Sequence, residues 1–189
     1  MGGATATART LRTGQEQDRY AQLMESDPAE QKKYVTDRLR LSTFMLTKFG
    51  LVAAPAGSLP GVVETLALAL PGFAPPSGKR AFVNPNLLSR LPALPAQAGI
   101  RQSAVWLPRA SLYAGFRAET LPAAGQFSTP YGAYASQFVA LTDGTVQYVR
   151  RLELKRGRLP ASAYAGYADF RRKINIADQA QIVLLKTKS

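Results

Sequence analysis

The chain contains no cysteine and no histidine. The first absence excludes disulfides, zinc–thiolate sites and thiol nucleophiles. The second removes the usual general base, the commonest metal ligand and the side chain that titrates near neutrality. Neither a Ser-His-Asp nor a Cys-His-Asn triad can be assembled from these residues alone. No cofactor or metal is expected, and no catalytic residue is assigned. Acid is also scarce: 12 Asp and Glu stand against 24 Lys and Arg, a net charge of +12. That excess favours anionic partners, whether nucleic acid, lipid, polysaccharide or an acidic protein face, and it serves equally as a repulsive, solubilising surface. Long apolar runs are missing too. Residues 62–70 come nearest, but Glu64 interrupts them and they are too short to span a bilayer. Residues 1–13 lack the apolar stretch of a secretory signal, so an exported protein would carry its signal upstream.

A hydrophobic fraction of 46% with 19% charged residues is that of a globular chain rather than a disordered one. The 189 residues are sized for one domain, 1–189. Pro92 and Pro95 sit in an irregular crossing, 91–99, which leaves open a subdivision into an N-terminal β/α part (1–95) and a C-terminal β-sandwich part (96–189).

Periodicity organises the last thirty residues. Tyr164, Tyr167, Phe170, Ile174 and Ala177 recur at spacings of three and four, which predicts a helix over 162–177 with one apolar face. Pro160 precedes it, and 182–185 read as a short buried strand. So one-sided a helix must lie on something, and the chain before it reads mostly as strand. Residues 5–11 suggest a first strand and 15–25 a weak polar helix. Asp27, Pro28 and Glu30 open a second helix to about Arg40. Strands are expected over 43–54, 62–68 and 81–83, then over 102–107 and 112–119 with a turn near Pro108 between them. Thr142-Asp143-Gly144 separates two alternating arms, 133–141 and 145–154, as a hairpin turn does. On the second arm Val146, Tyr148, Leu152 and Leu154 share a face with Arg150, which must cap the sheet or meet a buried carboxylate.

Few motifs carry chemistry. Ser77-Gly78-Lys79-Arg80 fails as a phosphate loop, because Phe73 and Arg80 stand where glycine and a hydroxyl residue are required. Asp169 and Asp178 are nine apart and do not form a catalytic pair. A glycosidase needs two carboxylates facing one cleft, and the sequence singles out no such couple. Tyr131, Tyr134 and Phe138 suit either a stacking surface or cross-strand packing. Basic residues are the strongest candidate: from 144 to 189 there are ten against three acidic ones. Arg151, Lys155, Arg156, Arg158, Arg171, Arg172 and Lys173 form the candidate surface for an anionic partner. No nucleic-acid-binding motif accompanies them.

The order of several short signatures resembles a known family. They are Gln31-Lys32-Lys33, Gly78-Lys79-Arg80-Ala81-Phe82, Arg101, Leu121-Pro122 and Tyr131-Gly132-Ala133-Tyr134, followed by Tyr148-Val149-Arg150, Leu159-Pro160 with Tyr164, and Ala177-Asp178 with Ile182-Val183-Leu184. Together they resemble the uncharacterised C-terminal, β-rich domain that follows the transglutaminase-like (papain-like) core in bacterial envelope proteins. The resemblance implies an accessory domain in the periplasm or cell envelope. The family's catalytic cysteine, histidine and aspartate belong to the core, and no position here matches them.

These readings converge on a mainly β, α+β fold: an antiparallel β-sandwich or folded sheet, a C-terminal packing helix and one helix near the N-terminus. The expected function is a non-catalytic scaffold or protein-binding domain, whose partner is a neighbouring transglutaminase-like domain or a protein substrate. The alternative is a basic module that binds nucleic acid or an acidic polysaccharide.

Overall fold

In the computed structural model, which describes residues 3–39, 41, 43–55, 60–72, 77–86, 102–111, 116–142, 145–155 and 159–187, the chain opens with strand β1 (Gly3–Thr13). Ala4, Ala6, Ala8, Thr10 and Arg12 are buried, whereas Thr5, Thr7 and Arg9 are exposed. That is the period of two of a strand covered on one face. Two helices follow, α1 (Gln15–Glu25) and α2 (Pro28–Arg38). The Ala29 N–H donates to the Asp27 carboxylate at 2.7 Å and Pro28 takes the first helical position, so α2 starts as its sequence requires. β2 (Met45–Ala53) and β3 (Gly61–Pro71) then pair antiparallel, and β4 (Arg80–Val83) follows.

The stretch expected to turn near Pro108 does not turn. β5 runs unbroken from Gln102 to Ser111, with Pro108 opposite Ala8 of β1. Proline cannot donate to a ladder. The β5–β9 register accordingly passes from Trp106↔Arg150 to Arg109↔Gln147, with no pairing at the two positions between. β6 (Phe116–Thr120) is not the hairpin partner of β5 but crosses into another sheet. β7 (Gly125–Thr129) is a strand that the sequence reading omitted. The expected hairpin arms are β8 (Gly132–Ala140) and β9 (Thr145–Leu154), paired from Ala140↔Val146 to Gly132↔Leu154. Their turn residues Asp143 and Gly144, and the crossing 91–99, lie outside the described residues.

A 3₁₀ turn over Ala161–Ala163 leads into α3 (Tyr164–Asp178), and β10 (Ile182–Lys186) ends the described chain. The strands form a seven-stranded sheet, β2-β3-β1-β5-β9-β8-β7, and a three-stranded sheet, β4-β10-β6, with antiparallel neighbours throughout. The fold is mainly β with helices near both ends, as expected, and the weakly helical stretch 15–25 is a helix beside the one that opens at Asp27.

One apolar cluster joins the two sheets. Ala4, Ala6, Ala8, Leu66, Leu68, Leu70, Val146 and Tyr148 of the large sheet meet Ala81, Val83, Ile182 and Leu184 of the small one, with Val35 and Leu39 beside them. A second cluster seats α3: Tyr167, Phe170 and Ile174 pack on Tyr134, Leu152 and Leu154. Both clusters lie on the same face of the seven-stranded sheet, so α3 does cover a β core. Strands from both sides of residue 95 share each sheet: β1 lies between β3 and β5, and β10 between β4 and β6.

Candidate interaction surface

Covering one face of a wide sheet leaves the other as surface. On β1 that outer face carries Thr5, Thr7, Arg9 and Leu11; on β2, Met45, Lys48, Gly50 and Val52; on β9, Gln147, Val149, Arg151 and Glu153. Met45 and Val52 are 60% and 57% exposed. Register aligns Val52 with Val63 and Val63 with Leu11, an apolar row at one end in which Val63 is buried, Leu11 half-buried and Val52 exposed. Arg9, Lys48 and Arg151 are exposed on this face; Glu153, whose carboxylate lies 3.9 Å from Arg151, is the acid beside them. Arg9 and Lys48 were not singled out in the sequence, although strict alternation over 5–11 already places Arg9 opposite the buried alanines.

The seven basic residues proposed from sequence do not form one patch. Arg151 points away from the face that α3 covers, since its neighbours Arg150 and Leu152 are buried there. Arg172 and Lys173 are exposed on α3, on the other side of the sheet, and both bind Asp169, Lys173 at 3.0 Å. Lys173 and Arg172 together hold the Asp169 carboxyl below the ordinary carboxylate range, and the shared acid reduces the local positive charge. Lys155 is exposed beyond β9, its N–H bonded to the Tyr131 carbonyl at 2.8 Å. Arg156 and Arg158 lie outside the described residues.

Arg171 is a correction: it is 5% exposed and donates to the Tyr167 hydroxyl at 3.0 Å. Its place four residues after Tyr167 and three before Ile174 puts it on the buried stripe, so it is no part of an outer surface.

Two buried polar clusters tie helices to the sheet. In the first, Arg150 donates from Nε and Nη2 to both Asp178 oxygens, at 2.7 and 2.8 Å, and the Tyr134 hydroxyl donates to Asp178 at 2.8 Å. The arginine read as needing a carboxylate thus finds it at the C-terminal end of α3. Burial raises the Tyr134 and Tyr148 hydroxyls beside it above the ordinary tyrosine pKa. In the second, Glu64 of β3 accepts from Arg12 of β1 at 3.1 Å and Arg38 of α2 at 2.7 Å. Arg38 also donates to the Tyr20 hydroxyl of α1 at 2.6 Å, and Arg12 lies 4.3 Å from the Tyr20 ring centre. Burial first, and the Glu64 carboxylate second, raise the Tyr20 hydroxyl. Glu64, which interrupts the apolar run 62–70 in the sequence, is thus the buried acceptor shared by both arginines.

These clusters join elements, and each centres on one carboxylate, Asp178 or Glu64, paired with arginine. Among the described residues no group of three or more acidic side chains is placed to hold a metal, and no helix is long and apolar enough to cross a membrane. The aromatics weighed as a stacking surface pack internally: Tyr134 stacks on Phe127 at 5.0 Å and Phe138 on Tyr148 at 4.7 Å.

Comparison with known proteins places part of this architecture. The family DUF3858, a domain of unknown function with a solved structure, matches residues 79–184. The match runs from the turn before β4 into β10 and takes in α3, leaving β1, α1, α2, β2 and β3 before it. No curated protein and no solved structure matches the chain. With more than half of its length matched by that family, the chain belongs to DUF3858.

Proposed function

We propose that this chain is a non-catalytic accessory domain of a transglutaminase-like protein of the bacterial periplasm or envelope, and that it holds the neighbouring catalytic domain or its protein substrate. The carrying observation is the one-sided cover of the seven-stranded sheet. Helices and the small sheet occupy one face, and the other offers a broad surface with the exposed apolar residues Met45 and Val52 at its edge. Exposed apolar groups rimmed by polar ones are the anatomy of a protein-binding surface. The resemblance of the short signatures supports the choice of neighbour. In a pull-down with a transglutaminase-like core, the chain forms a complex and alters the core's turnover. No complex and unchanged turnover would overturn the reading.

A second reading, a basic module for an anionic polymer, is favoured by Arg9, Lys48 and Arg151 sharing one exposed face. It requires binding to heparin or duplex DNA that weakens steeply with salt, as counterion release demands. Absence of binding at low ionic strength would exclude it.

A further inference from the structure

Strand β2 bonds to β3 and to no other strand among the described residues. The Ala54 N–H donates to the Gly61 carbonyl at 2.8 Å, and the register continues as Ala53↔Val62, Val52↔Val63 and Leu51↔Glu64. Antiparallel pairs alternate between bonded and non-bonded. The backbone groups of Val52 and Gly50 therefore turn toward β3, and those of Ala53, Leu51 and Phe49 turn to the open side. The side chains of Phe49 and Leu51 are only half covered on the core face, while Val52, Lys48 and Met45 are exposed on the other. Natural edges are blunted by bulges and charge. Here the bulge sits at Thr47, whose hydroxyl donates to the Ala67 carbonyl at 3.0 Å, and the register from Lys48 to Ala53 runs on without a break.

We propose that the edge formed by Phe49, Leu51 and Ala53 docks an extended, acidic polypeptide segment of a partner protein as an eighth strand of the large sheet. The proposal rests on reading the chain as a protein-binding domain and names where and what it binds. Main-chain bonds supply the attachment. Alternate side chains of the incoming strand cover Phe49 and Leu51 on one face and meet Lys48 on the other, where a carboxylate is the favoured cross-strand neighbour. A second copy of the chain would set Lys48 and a charge of +12 against their like. A nucleic acid would leave the outward carbonyls mostly without donors, and the exposed face has no described aromatic residue on which bases could stack.

The probe is a synthetic peptide alternating valine and glutamate, read by amide hydrogen exchange. It slows exchange at Phe49, Leu51 and Ala53 and leaves Gly50 and Val52, already bonded to β3, unchanged. Methylating the peptide's bonding nitrogens abolishes the protection. Leu51→Pro removes an outward donor, a change that edge strands accept, and lowers peptide affinity at least about tenfold. Lys48→Glu lowers it by a like factor and tests the site independently should the proline variant fail to fold. Unaltered exchange at about 1 mM peptide overturns the proposal. So does self-association through β2, or the same amides being protected by heparin or duplex DNA in place of the peptide. A complex with the transglutaminase-like core that ignores both substitutions refutes the edge but not the accessory role. Loss of that complex with peptide protection intact refutes the accessory role alone.

Discussion

Arg150 and Asp178 show what a single pair does inside this protein. Each is nearly inaccessible, and their two parallel hydrogen bonds satisfy both charges. Removing one partner strands the other, so Asp178→Ala should cost about 3–5 kcal/mol in urea unfolding. Replacing both, as Arg150→Met with Asp178→Leu, should recover most of that loss, because a buried ion pair adds little net stability over an apolar one. Tyrosines set the alkaline limit. Burial raises the hydroxyls of Tyr20, Tyr134 and Tyr148 above the ordinary 10.0. The unfolded chain then loses these protons first as pH rises, so the stability they contribute is complete below 10 and falls beyond it. Unfolding midpoints should be level to about pH 9 and drop by about pH 11, at up to roughly 1.4 kcal/mol per tyrosine per pH unit. A level profile across that window would contradict it.

At the scale of elements, α3 is positioned by the β7–β8 turn. The Tyr131 hydroxyl donates to the Ala163 carbonyl at 3.2 Å, and its ring meets Tyr167 edge-on at 5.7 Å. A Cβ on Gly166 would lie 2.6 Å from that hydroxyl. Alanine in a helix gains up to about 1 kcal/mol over glycine, but here the clash should win. Gly166→Ala is expected to destabilise by about 1–2 kcal/mol. In a Tyr131→Phe background, where the nearest obstacles are ring carbons at 3.3 Å, the same change should be close to neutral. Thermal melts of the four proteins in this cycle decide it. β8 carries a tighter constraint: a Cβ on Gly132, with φ of 155°, would stand 2.0 Å from the Glu153 carbonyl oxygen of β9. Gly132→Ala should therefore break the hairpin's register there, seen as lost protection of the β8 and β9 amides.

At the scale of the molecule, the parts of the chain before and after residue 95 share both sheets. β1 bonds β3 on one side and β5 on the other, and β10 bonds β4 and β6. Expressed apart, fragments 1–95 and 96–189 should each lack a cooperative unfolding transition, and mixing them should restore one. Cutting between them exposes both edges of the central pairing and strips β4 of its partner. Two independent transitions with midpoints like that of the intact chain would show instead that the sheet merely abuts two folded units.

What the residues determined unaided is the local and periodic part. The cap at Asp27, the stripe of α3, the hairpin arms around residues 142–144 and the buried side of β9, Arg150 included, all follow from spacing and from interactions a few residues long. Tertiary structure alone decided the partners. Asp178 for Arg150, Glu64 for Arg12 and Arg38, and the passage of β6 out of the sheet that holds β5 join residues far apart in the chain, and no periodicity encodes them. Pro108 lies within β5 opposite Ala8 of β1, at the gap in the β5–β9 ladder where a missing donor breaks no pair. The basic cluster of the last third came apart for the same kind of reason. Neighbours in sequence alternate between the two faces of a strand, and a helix turns its successive residues through every direction, so Arg151 joined Arg9 and Lys48 while Arg171 went inside.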